Sequence, residues 1–468
     1  MSSKVFNLVL QDPKGNERIL EYDPYASTIY WADTGLNIDL PFSSNAVAGH
    51  SWEKAFAVSP SNPASKSRNP ASIKIQLGLK CNYSCSYCNQ RAQPQDGDAN
   101  PKRIAWFLRK MPQWFDCGQG QGLTIEFWGG EPFVYWKTLK PLAEGLRDIY
   151  PKARFNIITN GSLLDQEKID WLYDLGFSIG ISHDGASYEE NRGTDPLKNP
   201  EQRKWIRYAY DRFFGERRIG FNCVLTAKAT SLVAVKTYLS RNLGVPPENI
   251  PLTTEEILLP YDEGGLSLSL LDRLSVKRMT HTVFYEAIRG MSMGVGAIES
   301  KTRDFLQSLA NHRPASSLGQ KCGMDKEHEI AIDLNGNVMT CQNTSPLTKH
   351  RIGHLDAFDT ISLNTAHHWS TRKECQNCPV VQLCRGACLF LEDALWDQAC
   401  ENSYFYNLGL LAASLFFATR MVLVRIEGHD IRQKGPNAID VIEPGFLDGP
   451  LPDWYFDTSE LETFRRSA

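Results

Sequence analysis

The feature that most limits how this chain can fold is a regular alternation of short apolar segments with longer segments of helical periodicity, between residues 73 and 289. Short apolar runs bounded by turn residues are typical of buried strands, and apolar residues three and four positions apart are typical of amphipathic helices. Consecutive strand–helix units favour a parallel sheet with its helices packed outside. We therefore predict an α/β fold in which six units form a partial barrel. The predicted strands are 73–79, 123–128, 154–159, 178–182, 219–226 and 253–259, and the predicted helices are 101–115, 135–149, 165–175, 201–214, 231–242 and 272–289.

The regions on either side of this repeat have a different character. The first of them alternates polar and apolar residues around turn signals, which predicts a β-hairpin from Phe6 to Tyr22 and a further extended piece at 27–32. Beyond residue 300 the strand–helix rhythm stops, and an Asn335-Gly336 turn predicts a short hairpin of strands 329–333 and 338–340. A helix is predicted at 402–425. We divide the chain into a β-rich extension with a Ser- and Pro-rich linker (1–70), the barrel (71–300), a cysteine-rich domain (301–425) and an irregular tail (426–468).

Charge and cysteine content narrow the class of function. A net charge of −4 gives no general attraction to nucleic acid or to an anionic membrane, and the longest apolar run, 406–419, is too short to span a bilayer. We read that run as a buried helix and expect a cytoplasmic protein.

In a reducing compartment, clustered cysteines indicate metal binding or catalysis rather than disulfides. Of the twelve cysteines, two are isolated at 117 and 223, three lie at 81, 85 and 88, and seven lie between 322 and 400.

The first cysteine group, Cys81, Cys85 and Cys88, has CxxxCxxC spacing and directly follows the first predicted strand. A [4Fe–4S] cluster normally takes four thiolates. Three thiolates in one loop leave one iron open to a small molecule with amino and carboxylate groups. A zinc site is the alternative, but zinc motifs are usually two paired Cys or Cys/His units. The triplet therefore favours an iron–sulfur cluster with one open iron.

This segment resembles the radical S-adenosylmethionine (SAM) superfamily, in which an aromatic residue, here Tyr87, precedes the third cysteine. The resemblance continues at three later strand ends, with Gly-Gly-Glu at 129–131, Thr-Asn-Gly at 159–161 and Ser-His-Asp-Gly at 182–185. It implies a TIM-like (β/α)6 radical SAM barrel and reductive cleavage of SAM to a 5′-deoxyadenosyl radical. The residues that it implies for SAM binding are Gly129, Gly130, Glu131, Asn160, Ser182 and Asp184.

Four nearby residues carry weaker signals. Arg192 could reach the SAM carboxylate, although a loop arginine is usually solvated. His183 is more readily explained as a packing residue than as a base. Cys117 and Cys223 are best explained as small buried residues.

The second cysteine group has the pattern C…GxxxxC…CxxCxxxxxCxxxC…C, with Gly336 five residues before Cys341. It resembles the SPASM domain, which holds two auxiliary [4Fe–4S] clusters, so that three clusters are implied in all. A zinc ribbon or disulfides would not explain seven thiols beside such a barrel. The resemblance assigns Cys375, Cys378, Cys384 and Cys400 to an outer cluster and Cys322, Cys341 and Cys388 to an inner cluster.

The inner cluster lacks a fourth thiolate, because an eighth cysteine found in some members is absent from 323–328. Its fourth iron could be open to a substrate thiolate. Alternatively it could be bound by Asp325, His328, Cys117 or Cys223.

Enzymes with this combination of domains mostly modify peptides or proteins. The leading interpretation is a maturase that abstracts hydrogen from a ribosomally made precursor peptide, with flavodoxin or ferredoxin as electron donor and neither nucleic acid nor membrane as partner. The N-terminal extension could bind that peptide. One alternative is an anaerobic sulfatase-maturing enzyme, but Gln342 occupies the position at which those enzymes have an aspartate base, and an amide cannot take a proton at neutral pH. A small-molecule dehydrogenase or a non-catalytic electron carrier are further alternatives. The sequence identifies no catalytic base and does not specify the bond that is made.

Overall fold

In the computed structural model, the described residues are 5–40, 52–94, 100–292 and 294–445. The chain begins with three antiparallel strands, β1 (Phe6–Gln11), β2 (Glu17–Asp23) and β3 (Thr28–Trp31). Asp12 closes the first turn, because its carboxylate accepts hydrogen bonds from the backbone N–H groups of Lys14 and Asn16, each at 2.8 Å. The predicted hairpin is confirmed. The predicted extension also includes residues 1–4 and 41–51, which lie outside the described residues.

The predicted parallel sheet follows, and its six strands pair in chain order. Aromatic side chains of three neighbouring strands fill its core, with ring centroids of Phe127 and Phe155 5.6 Å apart and those of Phe155 and Phe177 5.3 Å apart. Burial of each such side chain stabilises the fold by about 1.5–3 kcal/mol. These strands are β4 (Ser72–Gln76), β5 (Thr124–Trp128), β6 (Arg154–Thr159), β7 (Phe177–Ser182), β8 (Ile219–Leu225) and β9 (Leu252–Ile257).

Helices follow the strands, and polar residues begin several of them. Asp165, Asn199, Ser231 and Asp272 each accept hydrogen bonds from the first turn of a helix, which satisfies amides that have no partner within the helix. The helices are α1 (Ile104–Trp114), α2 (Trp136–Ile149), α3 (Gln166–Asp174), α4 (Tyr188–Asn191), α5 (Pro200–Phe213), α6 (Leu232–Leu243), α7 (Glu263–Ser267), α8 (Arg273–Ile288) and α9 (Gly296–Ala310).

The first strand of the cysteine-rich region extends the barrel sheet. Strand β10 (Glu329–Asp333) lies parallel to β4, and β11 (Asn337–Met339) and β12 (Arg351–His354) continue the sheet beyond it. The predicted 329–333 hairpin is present, with Gly336 in its turn at a φ of 87°. The boundary that we placed at residue 300 therefore divides a single nine-stranded sheet. This pairing places the cysteine-rich region beside the first cysteine loop.

The predicted helix at 402–425 has different bounds in the structure. After the short α10 (Val381–Cys384), helix α11 runs from Asp393 to Thr419 and ends at Arg420, whose backbone is left-handed with φ of 61°. The run 406–419 is part of it, and nearly all of its side chains are buried, as predicted. Among the described residues, no helix is long and apolar enough to cross a membrane.

The C-terminal segment also differs from the predicted irregular tail. Strand β13 (Val422–Glu427) pairs with β1, and β14 (Ala438–Asp440) pairs with β13, so that a five-stranded sheet has the order β14-β13-β1-β2-β3. The boundary at residue 425 thus falls inside a strand. The periodicity of β1 shows that it is a strand but not which strand is its partner. The remainder of the predicted tail, 446–468, lies outside the described residues.

Candidate active site

A cavity of about 620 Å³ lies at the carboxyl ends of the barrel strands. Its wall combines loops that follow the strands with loops of the cysteine-rich region. This is where a barrel of this kind places its functional residues. The predicted site residues on the wall are Cys81, Cys85, Cys88, Gly129, Gly130, Glu131, Asn160, Ser182, Cys322, Cys341 and Cys388.

The first cysteine set lies in the loop that follows β4. Burial, with a smaller contribution from neighbouring thiols of the set, raises the pKa of the Cys81 thiol to about 11 and that of the Cys85 thiol to about 12. Thiols that influence one another in this way lie close together, and soft sulfur donors suit iron. The three side chains therefore fit an iron–sulfur cluster, whose positive irons would stabilise their thiolates.

The glycines at the end of β5 let two loops run against each other. A Cβ atom on Gly130 would lie 2.6 Å from the Leu79 carbonyl oxygen and closer still to the Lys80 carbonyl. The Gly130 N–H donates to the Gly78 carbonyl at 3.1 Å, and the Glu131 N–H donates to the Lys80 carbonyl at 3.0 Å. Only a residue without a side chain allows this approach.

Glu131 joins the end of β5 to the end of β6. Its side chain is 1% exposed and accepts hydrogen bonds from the Thr159 hydroxyl at 2.7 Å and from the Asn160 and Phe133 amides at 2.8 and 3.2 Å. Burial raises the pKa of this carboxyl to about 7 despite those bonds. In turn, Asn160 donates to the Asn82 side chain at 2.9 Å, which links the β6 loop to the first cysteine loop.

Asp184 lies behind the cavity wall and holds another residue in place. Its carboxylate accepts from Nε and Nη2 of Arg192 at 2.8 and 3.1 Å, and from the Tyr87 hydroxyl at 2.5 Å. Burial opposes the charge of Asp184, but Arg192 and the other donors hold its pKa below the ordinary value. Arg192 itself is on the wall. Asp184 holds this arginine in place, and its own role in SAM binding stays a prediction.

His183 is fully buried, as predicted for a packing residue. Its Nε2 lies 3.0 Å from the Asp195 carboxylate, and its Nδ1 accepts from the Gly185 amide at 3.0 Å. Both ring nitrogens are therefore engaged within the loop after β7.

The seven later cysteines form two groups. Cys322, Cys341 and Cys388 line the cavity. Burial raises the pKa values of the Cys322 and Cys341 thiols, and the neighbouring Cys388 thiol contributes to both. The Tyr261 side chain lies beside Cys388. The other four cysteines form the second group, and their thiols also interact electrostatically. They are Cys375, Cys378, Cys384 and Cys400.

This grouping fits two clusters, and the ligand role of each cysteine stays a prediction. Among the residues that the structure describes, no three His, Cys, Asp or Glu side chains are grouped to hold a single metal ion. A [4Fe–4S] cluster instead has each thiolate on a different iron.

The structure separates the residues considered for the fourth position of the inner set. The His328 side chain is 53% exposed and lies 3.0 Å from Glu327, so it points away from the cavity. Cys117 has Asp116 as its charged neighbour, and the Cys223 thiol donates to a carbonyl of β9 at 3.5 Å. Of these four residues, Asp325 is the one whose charge raises the pKa of the Cys322 thiol. One of its buried carboxylate oxygens has no hydrogen-bond partner among the described residues.

Comparison with known proteins agrees with the geometry. Residues 75–225 match the radical SAM superfamily. The segment that holds the first cysteine set, Glu131, Asn160 and Asp184 therefore matches a radical SAM domain.

Two curated relatives and one solved structure illustrate the similarity. The chain is 26% identical to the radical SAM cyclopropyl synthase TigE of Paramaledivibacter caminithermalis, over 68% of this chain and 67% of the relative. It is 23% identical to a serine-type anaerobic sulfatase-maturating enzyme of Klebsiella pneumoniae, over 75% and 90%. The structure of anSMEcpe with bound AdoMet and the Kp18Cys peptide superposes with a TM-score of 0.52 at 20% identity, covering 74% of this chain and 99% of that chain. The last likeness concerns the fold.

Proposed function

We propose that this protein is a maturase that abstracts hydrogen from a ribosomally made precursor peptide and carries three [4Fe–4S] clusters. The observation that carries the proposal is that one cavity is lined by both the first cysteine set and the inner set. An electron carrier has no need of a cavity between its clusters, or of SAM-binding elements at successive strand ends. An enzyme that generates a radical at one cluster and removes an electron through another needs both.

Cys81, Cys85 and Cys88 would hold the cluster that delivers the electron for reductive cleavage of SAM, and SAM would supply the hydrogen-abstracting chemistry. The chain's own residues bind and orient it. We assign the methionine ammonium to the Gly129–Glu131 loop, the ribose to Ser182 and the carboxylate to Arg192. Arg192 is held ready by its two hydrogen bonds to a buried carboxylate, so that no ordering is required when SAM arrives.

The size of the cavity suits a single substrate side chain rather than a whole protein. The volume of about 620 Å³ is that of a small-molecule site, so the reacting residue has to enter it from a flexible segment. Apolar side chains of Leu259, Tyr261 and Phe390 line the part near the inner set and would exclude water from the radical. We expect a precursor peptide as substrate and a flavodoxin- or ferredoxin-type donor as its source of electrons. The edge strands β3 and β14 are our candidates for pairing with that peptide.

The similarity to sulfatase-maturating enzymes supports a second candidate function. That reaction requires a base beside the inner set, and Gln342 lies on the cavity wall at that position. The Cys341 thiol lies 3.2 Å from the Gln342 side-chain oxygen. A carboxamide does not accept a proton at neutral pH, which makes the precursor-peptide function the better supported of the two.

The deciding experiment is a search beside the gene for a short open reading frame, anaerobic co-expression with the peptide that it encodes, and mass spectrometry of that peptide. We expect a loss of two hydrogens, or another defined mass change, together with 5′-deoxyadenosine. The Cys85→Ala variant should abolish both products, whereas Cys117→Ala, which changes an isolated cysteine, should retain them. Conversion of a sulfatase peptide to formylglycine would establish the second candidate instead. Intact clusters without any 5′-deoxyadenosine would contradict both.

A further inference from the structure

The C-terminal segment inserts a buried arginine beside the outer cysteine set. Arg432 is 4% exposed, and its Nη2 donates to the Cys400 sulfur at 3.0 Å. Its positive charge also favours the thiolate form of Cys378. No cysteine-based motif includes this residue, because it lies in the segment predicted to be an irregular tail.

The backbone around Arg432 is shaped to place it there. Asp430, Arg432 and Gln433 all have left-handed backbone conformations, with φ of 48°, 60° and 53°. Left-handed backbone is unfavourable for residues with a Cβ atom, so other contacts have to maintain it. The Asn377 side chain, between two cysteines of the outer set, supplies such contacts, because it donates to the carbonyls of His429 and Asp430 at 2.6 and 2.7 Å.

The anionic side chains around Arg432 do not fully balance the positive charge at this site. Arg432 donates to both carboxylate oxygens of Glu401 at 3.1 Å, and Lys434 donates to the same carboxylate at 2.5 Å. Two cations therefore share one anion. The guanidinium also lies over the Tyr404 ring, 4.1 Å from its centroid. Its Nε is buried without a hydrogen-bond partner among the described residues.

An anionic cluster is the group that would satisfy this arrangement. Four thiolates on a [4Fe–4S] core carry net negative charge, and reduction adds a further unit. Hydrogen bonds to cluster sulfur and nearby positive charge favour the reduced form. We propose that Arg432 is a positioning residue that raises the reduction potential of the outer cluster, so that this cluster accepts electrons more readily. This inference rests on the proposed function, because it requires that Cys375, Cys378, Cys384 and Cys400 hold a cluster.

The test is a redox titration of the anaerobically purified full chain, followed by electron paramagnetic resonance. The outer-cluster signal is assigned by its absence from Cys384→Ala. We expect Arg432→Met to reduce the equilibrium constant for reduction of this cluster about tenfold, which is about 59 mV for a one-electron couple. Arg432→Lys keeps the positive charge but loses the planar set of hydrogen-bond donors. The reduction potential of the outer cluster in this variant should therefore lie between those of the wild type and Arg432→Met. The signals of the other clusters should not move.

The control variant is Arg147→Met. Arg147 is also an arginine stacked on an aromatic ring, with its guanidinium 3.8 Å from the centroid of Phe155, but its donors bind backbone carbonyls remote from the thiols. It should leave every potential unchanged. If Arg432→Met loses iron, Arg432→Lys decides, since a lowered potential supports the inference and an unchanged one overturns it. A wild-type chain that has this cluster, with a potential insensitive to both variants, refutes only the role of Arg432. A wild-type chain without iron at the outer set refutes the proposed cluster and this inference together.

Discussion

Replacement of Gly130 by alanine tests whether the close approach of two loops creates the SAM site. The added Cβ atom would lie 2.6 Å from the Leu79 carbonyl oxygen, whereas ordinary contacts begin at 3.4 Å. The obstructing atoms belong to the backbone, so the loops have to separate by about 1 Å. Such a displacement of a site that positions a reacting molecule costs about 100-fold in rate. That factor corresponds to about 2.7 kcal/mol of transition-state stabilisation.

The assay measures 5′-deoxyadenosine formation with dithionite and SAM, together with SAM affinity and iron content. Gly215→Ala is the control, because a Cβ atom there has no atom within 4 Å and the backbone is not left-handed. We expect Gly130→Ala to retain its fold and to lose SAM affinity and rate, and Gly215→Ala to match the wild type. If Gly130→Ala formed 5′-deoxyadenosine at the wild-type rate with unchanged SAM affinity, the loop contact would not be what builds the site.

Three further predictions concern positioning, protonation and the core. Asp184→Asn removes the charge that holds Arg192, and calorimetry should show SAM binding at least tenfold weaker with iron content unchanged. Burial lowers the pKa of His281 to about 4, and its Nε2 accepts from the Glu443 amide at 2.8 Å. The neutral imidazole therefore stabilises the fold above pH 6.5, and this contribution is lost as the pH falls toward 4. Hydrogen exchange of the Glu443 amide, corrected for its intrinsic rate, should accelerate over that range and lose this pH dependence in His281→Gln. Phe155→Ala removes a fully buried ring and should destabilise the barrel by about 3–5 kcal/mol, measured as a lower midpoint in thermal unfolding.

The barrel and the cavity wall were largely predictable because their signals are local. Most strands of the barrel read as apolar runs, and β6 has the predicted bounds 154–159. Once strands are parallel and consecutive, their carboxyl ends lie at one edge of the sheet, so motifs that follow them are brought together. That geometry is why Cys81, Glu131 and Asn160 could be placed at one site from their positions alone.

The long-range pairings could not be predicted in the same way. Strand β13 pairs with β1, so that Leu8 lies opposite Ile426, and nothing in either segment specifies the other. Likewise, the pairing of β10 with β4 joins two regions that we divided at residue 300, where the strand–helix repeat ends. Asp184 shows a second limit of what a sequence motif can specify. A motif identifies a residue at a strand end, but whether it touches the ligand or holds a neighbour depends on side-chain contacts.

The loop after β9 shows how such contacts decide the chemistry of this site. Tyr261 lies beside Cys388 of the inner set, and the next residue, Asp262, accepts from Arg91 beside the first set at 2.7 Å. Gly264 completes the contact, because a Cβ atom there would collide with the Arg91 side chain and the Ser86 carbonyl. One short loop thus fixes the first set relative to the inner set. In the function proposed above, hydrogen abstraction and electron removal act on the same substrate residue, so the separation that this loop sets would determine which residues can react. In the sequence, 261–265 lie between the predicted strand 253–259 and the predicted helix 272–289 and carry no motif.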